Sequence, residues 1–498
     1  MLAKNILPFY LSIVAAVVAQ TAQPIDIASA RQAVAMPSFS DRGQYNSYDF
    51  CGSPLGLFKK DSVRVGLDLG MRSTSWHESD HGDSLKQSAT AWNLPDILIG
   101  KPGIIYVRIN YTPTSISDNT HGYTSDTSAG LQKLSLPLQR FGLLIAGQVF
   151  SGIFQMAVRG KGYYGDEALA ASPNTRLIMG LEDLSAAIGS RIHELVTIGM
   201  QGGAIGKLDT LRDFQNPALH DRYFVGKIPM LGWYADFGKP GFPVASDFSL
   251  QISTHRFVYV TETDRDRFPI RGDSLAWKWQ AIGDVEHAGI TYHPALFLGH
   301  WSNHYQVFLP TVNNNSLDVG PAANGMDWKV SDFRFGIGTS AKVMDFGSAW
   351  FEYAHSSLGL SYGNFWASMP EKQRGYDRIM IGVEGNARAI AALQLPKSVE
   401  GFVRLGYFNQ RENSVIDAFE SEQFELVNSV DYNSMMYRYT PDFGWGPDQR
   451  VIGFSLGLGG SFFNRLVTAD AHVTFLSKES TVRLSGTQFG LDCAYSLR

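Results

Sequence analysis

Several short stretches of this chain carry side chains at spacings that chemistry can use. "WHESDHGD" (Trp76–Asp83) places two histidines and three acids within eight residues, a ligand set suited to a divalent metal. A solvated loop has the same composition. His287, His293, His300 and His304 follow one another closely, but without the His-Glu-x-x-His spacing that puts two rings on one helix face. "GLSYG" (Gly359–Gly363) and "GFSLG" (Gly453–Gly457) match Gly-x-Ser-x-Gly. A nucleophile elbow needs a sharp turn from strand into helix, and no helical pattern follows either one. "GKGYYG" (Gly160–Gly165) lacks the Lys-Ser or Lys-Thr of a phosphate loop and reads as a turn. Glu182 and Asp183 fall at an expected strand start and read as rim charges. These readings predict a protein that is not an enzyme and holds no cofactor or metal.

The elements that would position these residues are strands. "IYVRINY" puts Ile105, Val107, Ile109 and Tyr111 on one face, against Tyr106, Arg108 and Asn110. "IMIGVE" sets Ile379, Ile381 and Val383 against Met380, Gly382 and Glu384. "IGFSLGL" and "VTADAHVTF" repeat the pattern, with Ser455, Asp470 and His472 on the polar face. Such alternation sends successive side chains to opposite faces of a sheet. The last strand, "TQFGLDCAYSLR", puts Phe489, Leu491, Cys493, Tyr495 and Leu497 in one phase. Cys493 is therefore expected on the apolar face.

Two architectures alternate in this way. In a soluble sandwich the apolar face points in; in a membrane barrel it points out to lipid, and the polar face lines a wet lumen. Charged residues are only 18% of the chain, below the roughly 25% of soluble domains, and 50 glycines accompany 12% aromatics. A net charge of −5 gives no basic field for nucleic acid. Residues 1–19 carry Lys4, an apolar run from Ile6 and a small-residue cleavage pattern at Val17 and Ala19, as an export signal does. The run is broken by Pro8 and short of the ~20 residues a helical span needs. Short polar turns such as "SRIHEL" and "FFNRL" alternate with long irregular segments, among them Arg72–Gly103, Thr112–Ser135, Asp209–Lys227, Leu309–Met326 and Asn409–Arg450. Short turns on one side and long loops on the other are the barrel habit. The fold expected is all-β: a transmembrane antiparallel β-barrel of about 14 strands, an even number being usual. The division expected is a signal at 1–19, an N-terminal segment at 20–60 and the barrel at 61–498.

The N-terminal segment carries a resemblance. Ala30, Arg31, Ala35 and Met36 open it, Asp41 lies in its middle, and Ser53-Pro54-Leu55-Gly56-Leu57 closes it. This resembles the start of the FadL family of outer-membrane transporters and the related PorV-like barrels, where an Ala- and Arg-rich stretch leads to Met and ends in Asn-Pro-Ala-Gly-Leu. Two positions of that ending differ, with Ser53 for Asn and Leu55 for Ala, and Pro37 and Ser38 replace the glycines after Met. "IGFSLGLGGSFFNRLVTADAHVTF" is similar to the family's late hairpin, and "LEDLSAAIGSRIHELVTIGMQGG" to its mid-chain hairpin.

The resemblance implies that residues 20–60 fold inside the lumen as a hatch, with Arg31, Met36, Asp41, Ser53 and Pro54 in structural or gating roles. It implies passive uptake of hydrophobic molecules such as long-chain fatty acids across the bacterial outer membrane, the partners being that fatty acid-like molecule and outer-membrane lipid. Tyr437, Tyr439, Phe443 and Trp445, in the aromatic loop "YRYTPDFGWGPDQ", are candidates for ligand capture at the outer rim. An interfacial aromatic girdle would use the same residue types. Gly142–Val158 is apolar enough to be two strands or a strand entering an apolar surface loop. The alternatives to uptake are a PorV-like role in protein secretion, with a secreted protein as partner, and a structural porin.

Overall fold

The computed structural model describes residues 65–77, 86–101, 104–118, 134–150, 153–169, 174–213, 222–238, 242–260, 267–307, 311–313, 316–318, 326–343, 346–363, 368–387, 396, 398–414, 449–463, 466–479 and 483–497. They form strands and the turns between them. The first ten strands are β1 (Val65–His77), β2 (Lys86–Lys101), β3 (Ile105–Asp118), β4 (Leu134–Val149), β5 (Phe154–Leu169), β6 (Asn174–His193), β7 (Val196–Asp213), β8 (Arg222–Phe237), β9 (Val244–Val260) and β10 (Arg267–Gly283). A short β11 (Val285–His287) precedes β12 (Ile290–Val307), and β13 (Thr311–Asn313) with β14 (Ser316–Asp318) makes a small separate hairpin. The remaining strands are β15 (Met326–Val343), β16 (Gly347–Gly363), β17 (Ser368–Asn386), β18 (Glu400–Ser414), β19 (Gln449–Phe462), β20 (Val467–Glu479) and β21 (Arg483–Leu497).

Every pairing is antiparallel between neighbours, and β1 pairs with β21 from Val65↔Leu497 to His77↔Ser485, so the sheet closes on itself. Closure leaves no edge, which is the condition for strands to cross a bilayer. Of the 19 strands in the sheet, β11 only extends the turn end of β12, so 19 − 1 = 18 strands make the wall. The expectation of about 14 is corrected to 18. A strand whose alternation is interrupted escapes a reading based on period two. Lys86–Lys101 is one: a register shift between Ala91 and Asp96 interrupts its pairing with β3, so its alternation breaks midway. Two smaller readings are corrected with it. "GKGYYG" lies within β5 rather than in a turn, and Glu182–Asp183 sit at a bulge inside β6, where pairing shifts between Leu181 and Leu184. Gly142–Val158 is two strands, the end of β4 and the start of β5, joined at Phe150.

The sheet is apolar outside and polar inside. Ile379, Ile381 and Val383 are exposed while Met380 and Gly382 between them are buried; Phe454, Leu456 and Leu458 are exposed around buried Ser455 and Gly457. The last strand follows the sequence phase, with Cys493 exposed on the outer face. A water-soluble domain would reverse this arrangement. It is the signature of a lipid-facing wall around a polar lumen.

One end of the barrel carries tight turns. Backbone bonds close them from Ile104 N to Lys101 O (3.0 Å), Ile153 N to Phe150 O (3.2 Å), Phe346 N to Val343 O (3.0 Å) and Leu466 N to Phe463 O (3.4 Å). Phe150 and Phe463 adopt φ of 51° and 54°, the left-handed region in which a bulky residue is strained by about 1–3 kcal/mol. Both rings are exposed, as is Phe346. Exposed rings at one rim of the wall suit the aromatic girdle of such barrels. At the opposite end some strand ends are far apart in sequence: β3 ends at Asp118 and β4 begins at Leu134, and β18 ends at Ser414 and β19 begins at Gln449.

The wall is locked by one repeated device. Five inward glycines each face an aromatic ring on the neighbouring strand in direct register: Gly100↔Tyr106, Gly199↔Tyr234, Gly382↔Trp350, Gly453↔Phe408 and Gly490↔His472. A Cβ built on any of the five would overlap its ring. Each ring lies over glycine backbone and is itself buried. Cross-strand cover of a glycine by an aromatic both shields the backbone and fixes register.

Candidate functional site

The candidate site is the lumen face of the wall. Alternation sends every second side chain inward, and many of the buried polar groups are there, including Arg159, Gln201, Asp332, Glu352, Arg404, Asp470, His472 and Gln488. Several of the charges are paired. Arg108 on β3 donates from Nε to Asp96 Oδ1 on β2 at 2.8 Å, and from its terminal nitrogen to Oδ2 at 2.5 Å. Asp332 on β15 accepts from Arg334 on the same strand and from Ser356 Oγ on β16 at 2.5 Å. His293 Nδ1 lies 2.8 Å from Asp284 Oδ1 at the turn end.

The largest network centres on Arg404 of β18. Its Nε donates to Glu384 Oε2 on β17 at 2.5 Å, and its Nη1 donates to Asp470 on β20. Asp470 is two strands away. The intervening β19 offers Gly457 and Gly459 at this height, so the guanidinium lies across bare backbone. Just beside it, Ser455 Oγ and Thr474 Oγ1 bond at 3.0 Å, both fully buried. Towards the long-loop end an apolar patch of Met380, Phe408, Val451 and Leu476 follows, with the Arg378 guanidinium 5.9 Å above the Phe408 ring. A second apolar cluster, containing Leu98, Tyr106, Leu144 and Tyr234, lies near the turn end. The wall is thus banded: apolar patches beside neutralised ion pairs.

Few of the residues singled out in the sequence meet in this site. Arg31, Met36, Asp41, Ser53 and Pro54 of the expected hatch lie outside the described residues, as do Cys51 and the rim aromatics Tyr437, Tyr439, Phe443 and Trp445. The Trp76–Asp83 stretch runs from the end of β1 into residues outside that set. His293 faces inward and His300 outward, its ring 6.3 Å from that of Trp277. Among the described residues no three His, Cys, Asp or Glu side chains converge as a metal site requires. Ser455 continues a strand and bonds Thr474, without the strand-to-helix turn of an elbow. Sequence reasoning misses the Arg404 network. Part of its signal is in the sequence, since alternation puts Glu384 and Asp470 on polar faces, but the pairing needs the register.

A closed, inside-out barrel of 18 antiparallel strands is an outer-membrane β-barrel. The chain therefore sits in a bacterial outer membrane. No family model and no curated protein matches it. Solved structures of similar architecture include a CymD monoaromatic hydrocarbon channel, with 8% identity over 91% of this chain and 93% of that one, at a TM-score of 0.33. OccK11 (OpdR) of Pseudomonas aeruginosa aligns over 89% of this chain and 99% of its own, at 8% identity and a TM-score of 0.36. The FrpB iron transporter from Neisseria meningitidis, in its apoprotein form, aligns over 86% and 81%, at 7% identity and a TM-score of 0.39.

Proposed function

We propose that the protein is a passive outer-membrane channel for the uptake of hydrophobic molecules such as long-chain fatty acids. The observation that carries the channel is the closed wall of 18 strands with its polar face inward. At that strand number wall side chains alone leave a passage, as they do in porins of 16–18 strands. The hydrophobic cargo rests on the FadL-like sequence features and on the wall's electrostatics. Arg404, Arg108 and Arg334 are each neutralised by carboxylates on the wall itself. Groups paired in this way give little selection for a charged solute, and the apolar patches beside them suit an apolar one.

In this reading residues 20–60 form the hatch, with Arg31, Met36, Asp41, Ser53 and Pro54 holding or gating it. Tyr437, Tyr439, Phe443 and Trp445 collect the ligand at the outer rim. No energy source is required, because the cargo moves down its gradient.

The test is entry of a fluorescent long-chain fatty acid into proteoliposomes containing the purified protein, against entry of a trisaccharide. Faster fatty-acid entry than in empty liposomes, with little trisaccharide flux, supports the reading. Free trisaccharide flux with no fatty-acid selectivity indicates a general porin. No flux of either leaves the PorV-like secretion role as the better account.

A further inference from the structure

On the outer face of β18 and β19 the paired side chains change character along the strands. From the tight-turn end, direct register sets Val403 against Leu458, Leu405 against Leu456 and Tyr407 against Phe454. All six are exposed, as one column of the lipid-facing surface. Asn409 against Ile452 follows, and then Arg411 against Arg450. Both arginines are exposed and in the outward phase, since Gln410 and Val451 beside them are buried on the lumen side. An apolar column thus ends in two guanidinium groups standing side by side.

Like charges directly opposite on adjacent strands destabilise a sheet. Carboxylates could relieve this pair, and two flank it: Asp377 on β17 is in register with Arg411, and Glu479 on β20 with Arg450. Asp377 is engaged on its other side. It accepts from Tyr353 Oη at 2.5 Å, and His355 Nδ1 lies 2.9 Å from the same oxygen. Arg450 donates from Nε to Asn409 Oδ1 at 3.1 Å, and among the described residues neither arginine forms an ion pair. Two guanidinium groups rooted about 5 Å apart are close enough for both to reach one phosphate, and their planar forks of N–H donors match its oxygens.

From this juxtaposition we propose that Arg411 and Arg450 bind a phosphate of the glycolipid that forms the outer leaflet of the outer membrane, an acylated glucosamine disaccharide carrying phosphate groups. The phosphate lies between the two guanidinium groups, and acyl chains run over Ile452, Tyr407 and Phe454. Three observations select this occupant. The pair stands where β18 ends at Ser414 and β19 begins only at Gln449, the long-loop end, which in such barrels faces outside. It tops an exposed apolar column, so its ligand is apolar at one end and polar at the other. Its two like charges are in register, an arrangement that an anion bridges and a cation or a neutral sugar does not. Basic clusters beside a spanning segment bind anionic lipid headgroups on the same principle. The site is on the outer wall, so its test is independent of cargo transport through the lumen.

The test is native mass spectrometry of the full protein in mild detergent, with equal amounts of bisphosphorylated lipid A and the same lipid A freed of its phosphates. The wild type is expected to retain the phosphorylated form about tenfold over the other, a difference of about 1.4 kcal/mol. Both forms carry the same acyl chains, so this comparison tests the phosphate contact without any variant. Arg411→Gln and Arg450→Gln should each lower the preference, and the double variant should abolish it. Heat-modifiable gel mobility confirms that each variant is assembled. Urea unfolding in phosphatidylcholine vesicles, with and without the bisphosphorylated lipid A, separates a ligand site from a structural role. Without it the single variants should be as stable as the wild type or more so, because a like-charge pair is removed. With it only the wild type should gain stability. Equal retention of the two forms by the wild type, an unchanged preference in the assembled double variant, or a loss of stability that is the same with and without lipid A overturns the proposal.

Discussion

Arg404 reaches Asp470 across an intervening strand, over the bare backbone of Gly459. A Cβ on Gly459 would overlap the Asp470 carboxylate and lie 3.1 Å from the guanidinium. The ion pair and the glycine are therefore one unit, and Glu384 completes it from the other side. Removing one partner of a buried pair leaves an uncompensated charge, which costs about 3–5 kcal/mol. Asp470→Ala is expected to lower the urea stability of the refolded barrel by that amount. Gly459→Ala should destabilise in the same direction by forcing the carboxylate away, and it should add little to Asp470→Ala in the double variant, since both break one contact.

The glycine and aromatic pairs predict a second effect. Gly382→Val places a side chain where the Trp350 ring lies, and overpacking of this kind costs about 1–3 kcal/mol. Trp350 fluorescence should shift as the ring is displaced. Gly385→Ala serves as the comparison, because a Cβ added there would meet nothing within 4 Å. It should leave both stability and spectrum nearly unchanged.

Lipid-facing positions should respond according to depth. Leu456 lies near mid-height of the outer face and Leu497 at its turn-end boundary. Leu456→Arg is expected to cost about 2–4 kcal/mol and Leu497→Arg no more than about 1, measured by reversible unfolding in lipid vesicles. Equal costs would mean that the apolar outer face does not span a bilayer.

Cys493 offers a direct reading of sidedness. It is exposed on the outer face between Leu491 and Tyr495. In membranes it should react with a lipid-soluble maleimide and resist a charged one. Rapid reaction with the charged reagent in intact membranes would place β21 in the opposite phase.

Much of the architecture is legible in the sequence because a barrel needs only a period of two and a choice of face. The phases of Ile105–Tyr111, Ile379–Val383, Phe454–Leu458 and Phe489–Leu497 all agree with the exposure of those residues. Strand number is less legible. Beyond the bilayer both faces of a strand are wet, so hydrophobic alternation fades while the backbone ladder continues, as at Lys86–Ala91 and Asp209–Asp213. Inward glycines look in sequence like residues suited to a wet lumen. Five of them instead seat aromatic rings, a pairing that depends on register between strands. The Arg404 network is hidden for the same reason: its acids are 20 and 66 residues away in sequence. Arg31, Met36, Asp41, Ser53 and Pro54 rest on resemblance alone, and deleting residues 20–60 should leave the barrel assembled and raise its single-channel conductance if they form a plug.

Uptake of an apolar cargo is best tested by extracting the protein in mild detergent and identifying by mass spectrometry what the barrel carries. Fatty acids or similar apolar small molecules are expected at near one per barrel, lost when residues 20–60 are removed. A secreted protein in stoichiometric amount, with no enriched apolar molecule, would contradict uptake.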